Sequence, residues 1–545
     1  MRRCRKRSTF ITGSWRPGSD TGRVRWNGEH EVFRATQRAH LRRRGGSGWH
    51  AGDVLQSPDP GADHQPDALA VEFEGDKTSY QQLSTRIASI AGWLHLHEVE
   101  PGDRVAWLGP NHPLAIELLL ACSRLGAIFL PLNSRLLIAE HRWILQDAGP
   151  RLVVAHKDFA EHAAEAAEET PVFSLAEVSQ SEPIEVTPRS GQPDDPVLLA
   201  YTSGTTGTPK GALLSQSALA ANAVNGAHAH DLTSNDRFLT FLPLFHVGGL
   251  NIQTLPALMG GASVLLHSSF DPGQWLKDVE RWQPTWSLFV PATLNAVTNH
   301  PAFAEADLSS LKGLMAGSST IPEAATRPFF ERGISVGQVY GATETSPTAV
   351  VLRIDQAAQR PGSCGKAATL CDVRIVNDEG VDVAAGESGE LWVRGPNVLT
   401  SYWANPDATS ESITDGWFHT GDIGHMDTEG WLYIDDRKKD VVISGGENIY
   451  PAELENVLAE SDLLSEATVV GVSDSRWGEI PVVVAVAAEG SEQNSEAVLQ
   501  LFDGQIARFK HPKRVIWTDQ LPRNVMGKVL KHEVRVLIAE NETAT

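Results

Sequence analysis

Residues 201–211 read Y-T-S-G-T-T-G-T-P-K-G, a run of small, hydroxylated and glycine residues that closes on a lysine. It has the makings of a loop that holds a polyphosphate. Gly204, Gly207 and Gly211 permit backbone conformations and close approaches that side chains block, so successive N–H groups converge on anionic oxygens. Ser203, Thr205 and Thr206 add hydroxyl donors, Thr208-Pro209 stiffens the exit, and Lys210 supplies a cation. A Walker A loop needs four residues between its glycines and a Ser or Thr directly after the lysine. Here Gly211 follows Lys210, which disfavours a P-loop motor or switch.

At 545 residues the chain exceeds one ordinary core, so two or more domains are expected. Its formal charge of −22 gives no electrostatic reason to seek nucleic acid or anionic lipid, and binding of an anionic cofactor has to come from local cations. The longest apolar stretch, residues 114–132, is interrupted by Glu117 and Arg124 and reads as buried helix and strand, with no integral membrane segment. Cys4, Cys122, Cys364 and Cys371 lack C-x-x-C spacing, which argues against a disulfide framework and a zinc site and fits a reducing cytoplasm.

Residues 1–50 differ from the rest, with 13 Lys/Arg against 3 Asp/Glu. Organelle transit peptides share that composition. No hydrophobic periodicity develops before Ala68, which favours a disordered tail or a start codon set upstream of the native one, assigned to residues 1–52. Beyond it, Leu69–Phe73 reads as strand, Tyr80–Leu96 as helix, 105–108 as strand, 114–125 as helix, 127–130 as strand and 151–155 as strand. That rhythm predicts a large α/β N-terminal domain, residues 53–434, with several sheets covered by helices. From Asp435 the order changes to a compact α+β module, residues 435–545: helix 451–459, strands 467–472 and 481–487, helix 494–508 and strand 514–517.

Further motifs follow the loop in order: L-P-L-F-H-V-G-G at 242–249, Y-G-A-T-E at 340–344, T-G-D at 420–422, D-R-K-K-D at 436–440, G-G-E-N-I-Y-P at 445–451 and P-R-N-V-M-G-K at 522–528. Together with the loop they resemble the acyl-adenylate-forming, AMP-binding superfamily, and within it the acyl-CoA synthetases. The resemblance implies a small mobile C-terminal domain that rotates between two half-reactions, and ATP, Mg²⁺ and coenzyme A as cofactors. By the same resemblance the ATP phosphates are held by Thr202, Ser203, Gly204, Thr205, Thr206, Gly207 and Lys210, with Thr205 also counted as catalytic. Glu344 is the Mg²⁺ ligand; Tyr340 and Gly341 lie along adenine, Thr343 near the α-phosphate, and Gly317 joins the nucleotide-binding set. Asp422 suits the two ribose hydroxyls because one carboxylate offers two oxygens, and Arg437 adds a ribose contact.

Lys528 occupies the position of the lysine that bridges carboxylate and phosphate during adenylation, and Lys439 that of the hinge residue. Gly445, Gly446 and Glu447 are expected beside a channel for the pantetheine arm, and His246 at the gate between acyl pocket and thiol channel. The nucleotide half of coenzyme A is expected near Arg476, Trp477, Arg508 and Lys510.

The segments that line the acyl pocket by this resemblance, 245–251, 313–320 and 341–348, contain no Lys or Arg, which favours a monocarboxylic acid, with Gly248, Gly249, Gly317 and Gly341 leaving room. Fatty and aryl acids, including hydroxycinnamic ones, both remain open. The expected activity is ATP-dependent acid–CoA ligation with a small-molecule carboxylic acid, ATP and CoA as partners. The alternatives are a carrier-protein-loading adenylating enzyme, a luciferase-like oxygenase, and a non-catalytic acyl- or nucleotide-binding regulator.

Overall fold

The computed structural model describes residues 66–180, 191–202, 209–317, 321, 323–437, 442–449, 451–459, 461–488, 490–522, 529 and 531–543. The tail assigned to residues 1–52 lies outside them.

Local chemistry sets the element ends. Ser79 caps the helix Tyr80–Leu96: its hydroxyl accepts from the Gln82 N–H at 3.3 Å, and the Gln82 side chain accepts from the Ser79 N–H at 2.8 Å. His112 caps the helix Pro113–Leu125, which has Pro at its first position and ends at Gly126 with φ +74°. Both helices carry a wide apolar face, and Leu83, Ile87, Leu94, Leu114, Leu118 and Leu119 are buried in one core.

The first sheet has nine strands, in the order Lys366–Ala367, Val350–Leu352, Val336–Tyr340, Gly313–Gly317, Trp286–Phe289, Arg237–Thr240, Ser263–Leu266, Leu69–Phe73 and Asp76–Ser79. Its central members pair in parallel. Gly313–Gly317 and Trp286–Phe289 are buried at every residue, the pattern of strands covered on both faces. A seven-stranded sheet follows the order Ser401–Tyr402, Lys210–Ser215, Pro196–Thr202, Ile128–Leu132, Arg104–Leu108, Leu152–Ala155 and Val172–Ser174. A third sheet of five strands, antiparallel throughout, contains Asp372–Val376, Gly389–Arg394, Trp417–Met426, Ile413–Thr414 and Leu432–Arg437.

The remaining sheet is built entirely from residues beyond 441. Gly478–Ala487 pairs antiparallel with Leu464–Asp474 and parallel with Arg514–Trp517, while Val442–Ser444 and Glu447–Ile449 complete it. Strand alternation explains its apolar run: Val483 and Ala485 face the helices Pro451–Ala459 and Ser495–Gln500, and Val482 and Val484 face the helix Lys531–Thr543. The helix expected over 494–508 is shorter than that. It stops at Gln500, the chain turns through Gly504 at φ +75°, and a separate 3₁₀ turn forms at Arg508–Lys510. Among the described residues no helix is long and apolar enough to cross a membrane.

Candidate active site

Parallel strands send all their C-terminal ends the same way, and ligands collect in the crevice beyond them. Here two sheets do so at one place. Pro110 and Asn111 follow Arg104–Leu108, residues 133–136 follow Ile128–Leu132, residues 241–249 follow Arg237–Thr240, and residues 341–344 follow Val336–Tyr340. All of these but the core residue Leu244 line a single cavity of about 1740 Å³. Asn111 ties the two sheets together there. Its Nδ2 donates to the carbonyls of Phe241 (3.3 Å), Leu242 (3.0 Å) and His267 (3.1 Å), and its Oδ1 accepts from the Leu244 N–H at 2.8 Å. No motif pointed to Asn111, because its role is set by chain segments 130 or more residues away.

One wall carries the nucleotide candidates. Thr202 and Lys210 are register partners at the open end of an antiparallel pair, and both line the cavity. Ser203, Gly204, Thr205, Thr206 and Gly207, between them, lie outside the described residues. Glu344 stands in a 3₁₀ turn, Thr343–Thr345; its Oε1 accepts from the Tyr402 hydroxyl at 2.8 Å, and the Leu399 N–H donates to its backbone carbonyl at 2.7 Å. Lys210 Nζ lies 5.6 Å from the centre of the Tyr402 ring. Tyr402 therefore joins the cation of the loop to the carboxylate of the later motif, a residue that sequence reasoning missed because it belongs to neither.

Asp422 is 7% exposed, and its Oδ2 accepts from the Tyr340 hydroxyl at 2.7 Å. Burial, and then the Asp422 charge, push the Tyr340 hydroxyl well above its ordinary pKa, so it stays protonated and donates. Gly341 lines the cavity, and a Cβ there would run into the Pro347 carbonyl, so only glycine fits. Arg437 pairs in register with Asp422 across neighbouring strands. Gly317 ends its strand against the Val339 carbonyl, 2.7 Å from where a Cβ would sit, and is absent from the described cavity lining.

The opposite wall is a seam between the large domain and the last sheet. His246 Nε2 lies 2.9 Å from Glu447 Oε2, and Arg135 pairs with the other Glu447 oxygen. Burial raises the Glu447 pKa, but His246, Arg135 and Lys510 outweigh it and hold the carboxyl at about 2. An ionised carboxylate only accepts, so His246 presents its Nε2–H to Glu447. Gly445 and Gly446 line the cavity beside them, and Gly446, at φ +83°, sits where a Cβ would meet the Val290 side chain at 3.0 Å.

Lys510, expected beside the coenzyme A nucleotide, is instead enclosed in this seam. It is 5% exposed and donates to Glu453 Oε1 at 2.7 Å and Glu140 Oε1 at 3.0 Å. Burial lowers its pKa, but the two carboxylates more than offset that and hold it above the ordinary lysine value. Arg476 and the 40% exposed Trp477 remain at the rim, with the guanidinium 4.8 Å from the ring centre. Lys528 and Lys439 lie outside the described residues.

The cavity lining also contains the apolar side chains Phe245, Val247, Ile252, Val339, Ala342 and Pro347. The Lys and Arg side chains of the described lining are Arg135, Lys210, Arg476 and Lys510. Arg135 and Lys510 are engaged in the seam, Lys210 lies beside Tyr402 and Arg476 beside Trp477. Glu344 offers one carboxylate, and among the described residues no cluster of three or more His, Cys, Asp or Glu exists that would cage a metal by itself. That donor set fits Mg²⁺, which takes one or two carboxylates together with substrate phosphates, and does not fit a structural metal.

Residues 59–403 match the AMP-binding enzyme family and residues 453–528 its C-terminal domain. The chain is 45% identical to indoleacetate–CoA ligase of Aromatoleum aromaticum over 87% of its length and 96% of the relative. It is 41% identical to feruloyl-CoA synthase of an Amycolatopsis species, over 86% and 96%. Two solved structures of o-succinylbenzoate CoA synthetase from Bacillus subtilis differ in their overlap with this chain. With a CoA-containing product analogue, in a double mutant, the TM-score is 0.81 at 31% identity, covering 88% of this chain and 98% of that one. With the acyl-adenylate intermediate it is 0.67 at 30% identity, covering 88% and 97%. The shared cavity, its two walls and these relatives agree: the chain belongs to the AMP-binding enzyme family, in its acyl-CoA synthetase branch, and is an ATP-dependent, AMP-forming acid–CoA ligase.

Proposed function

We propose that the acid is a monocarboxylic aryl acid of the arylacetic or hydroxycinnamic kind, and that both half-reactions run in the one cavity. The observation that carries this reading is the arrangement of the cavity. Lys210, Glu344 and Asp422 stand on one wall, the His246–Glu447 seam on the other, and we read the apolar side chains of the lining as the acyl span. A second carboxylate on the substrate would find no counter-charge in that span. The relatives named for indoleacetate and ferulate support an aromatic body over a fatty chain.

In the first step a carboxylate oxygen attacks the α-phosphorus and pyrophosphate leaves. The residues 203–208, with Thr202 and Lys210 at their base, hold the β- and γ-phosphates; Thr343 lies near the α-phosphate, and Lys528 bridges carboxylate and phosphate. Glu344, oriented by Tyr402, is the protein ligand of Mg²⁺, which when bound neutralises phosphate charge. Asp422, oriented by Tyr340, and Arg437 hold the ribose. Gly317 supports the neighbouring strand end.

In the second step the thiol sulfur attacks the acyl carbon and AMP leaves with the bonding electrons. Gly445 and Gly446 leave room for the pantetheine arm, and His246, turned toward Glu447, opens the gate between channel and acyl pocket. We assign the described arrangement to this step; the larger overlap with the relative bound to a CoA product analogue supports that. Residues 435–545 form the mobile domain, with Lys439 at the hinge. We read the reaction as cytoplasmic, where ATP and CoA are both supplied.

Incubation with ATP, Mg²⁺, CoA and a panel of arylacetic, hydroxycinnamic, benzoic and fatty acids, with AMP and thioester read by mass spectrometry, tests this. AMP and thioester from arylacetic or hydroxycinnamic acids are expected. Preference for a long-chain fatty acid would overturn the aryl assignment.

A further inference from the structure

The seam holds a charge set that the chemistry above does not use. Lys510 belongs to the small domain, on the turn Arg508–Lys510, and so does Glu453, on the helix Pro451–Ala459. Glu140 belongs to the large domain, on the helix Ile138–Ala148, where its Oε2 accepts from the Leu137 N–H at 2.9 Å and is fixed as part of the helix cap. Lys510 thus has one partner within its own domain and one across the seam in the large domain.

Exposed ion pairs contribute little, because water serves each charge nearly as well. This one is different: the Lys510 side chain is 7% exposed, and those of Glu140 and Glu453 are 16% and 13% exposed. Closing the seam strips water from a charged amine, and Glu453 alone supplies one carboxylate where two are in contact. The Glu140 contact therefore bears on the choice between domain arrangements, since a contact made in one state and absent in the other shifts the equilibrium by its differential free energy. The charge of Lys510 also reaches Glu447, the acceptor of His246, so the same amine helps keep that carboxylate ionised.

We propose that Glu140 and Lys510 are positioning residues for acyl transfer to the thiol: their buried contact holds the small domain where Gly445, Gly446 and Glu447 border the cavity. Adenylate formation, which uses Lys528 in the other arrangement, does not depend on it. The proposal rests on the two-step ligase reading. Its test separates the steps in the full chain, with pyrophosphate exchange reporting adenylation and a single turnover of enzyme-bound adenylate mixed with CoA reporting transfer.

Glu140→Gln keeps an oxygen for the helix cap and removes the charge. It is expected to slow transfer about tenfold and leave exchange within about twofold, inside the range of typical coupling between sites. Glu140→Lys is expected to slow transfer further, and the exchanged pair Glu140→Lys with Lys510→Glu to recover most of it, which a loss of packing alone would not allow. Thermal melts of each variant check that it folds. Equal slowing of both steps by Glu140→Gln, no slowing of either, or a double variant no faster than Glu140→Lys would each overturn the proposal. If wild type exchanges pyrophosphate with no acid, the ligase reading itself falls, which is distinct from a wild type that completes both steps and a Glu140→Gln variant that matches it.

Discussion

The two walls of the cavity are built on different principles. The nucleotide wall consists of short contiguous motifs, each presented by one strand: Thr202 and Lys210 at the open end of an antiparallel pair, Tyr340 at the end of a parallel strand with Gly341 to Glu344 after it, and Asp422 within an antiparallel strand. The thiol wall consists of pairs from two domains, Arg135 and His246 meeting Glu447, and Glu140 meeting Lys510, with 201 to 370 residues between partners. On the nucleotide wall backbone geometry presents the chemistry, and its long-range contacts, Tyr402 to Glu344 and Tyr340 to Asp422, only orient it. On the thiol wall the long-range contacts are the site. Thr202, Lys210, Gly341, Glu344 and Asp422 all belong to the large domain, whereas a wall of the second kind exists only while two domains are docked.

Lys528→Ala sharpens that contrast most. It is expected to reduce adenylation by about 10³-fold, the scale for loss of a directed charge at a reacting phosphate, while transfer from a supplied acyl-adenylate to CoA proceeds. Parallel loss of both half-reactions in stopped assays would remove the distinction between the walls.

Next in size is the pH response of the thiol wall. Glu447 sits at about 2 against an ordinary 4.5. The folded value is the lower one, so its contribution is present in full above pH 4.5 and is lost as pH falls from there toward 2, amounting to about 3 kcal/mol. Glu447→Gln has no such titration. Denaturant unfolding of the two proteins should give a stability gap that is widest near pH 6, shrinks as pH falls below 4.5 and closes only as pH passes below about 2. A gap that stays constant with pH would assign the contact to packing.

Tyr402→Phe removes one hydrogen bond to a carboxylate and should lower adenylation about tenfold, with a rise in the Mg²⁺ concentration needed for half-maximal rate. Transfer from supplied adenylate should stay within about twofold. An unchanged Mg²⁺ requirement would detach Tyr402 from the metal-binding role proposed for Glu344. The smallest effect is expected for Tyr340→Phe, a severalfold rise in the ATP KM with kcat little changed, because Asp422 keeps its place in the strand and loses only an orienting donor. A fall in kcat at constant KM would mean that Tyr340 acts on the transition state.

What the amino-acid order determined by itself is the part of this protein that is local. Apolar spacing marked the helix Tyr80–Leu96 and the strand Leu69–Phe73 to the residue, and the strands expected over 467–472 and 481–487 fall inside the longer strands Leu464–Asp474 and Gly478–Ala487. It also set the motif residues Lys210, Gly341, Glu344 and Asp422, since each needs only its neighbours and the strand that carries or precedes it to reach the cavity. It overran at 494–508, where Gly504 ends a run that apolar spacing alone would continue.

Tertiary structure alone decided what depends on distant segments meeting. It gave Asn111 its four backbone partners, Tyr402 its place between Lys210 and Glu344, Arg135 its carboxylate, and Lys510 a buried pair of acids in place of an expected nucleotide. The reason is physical. A motif carries its own geometry in consecutive dihedral angles, whereas a buried charge carries none, and its partner is chosen by which surfaces the fold brings together and from which of them water is excluded.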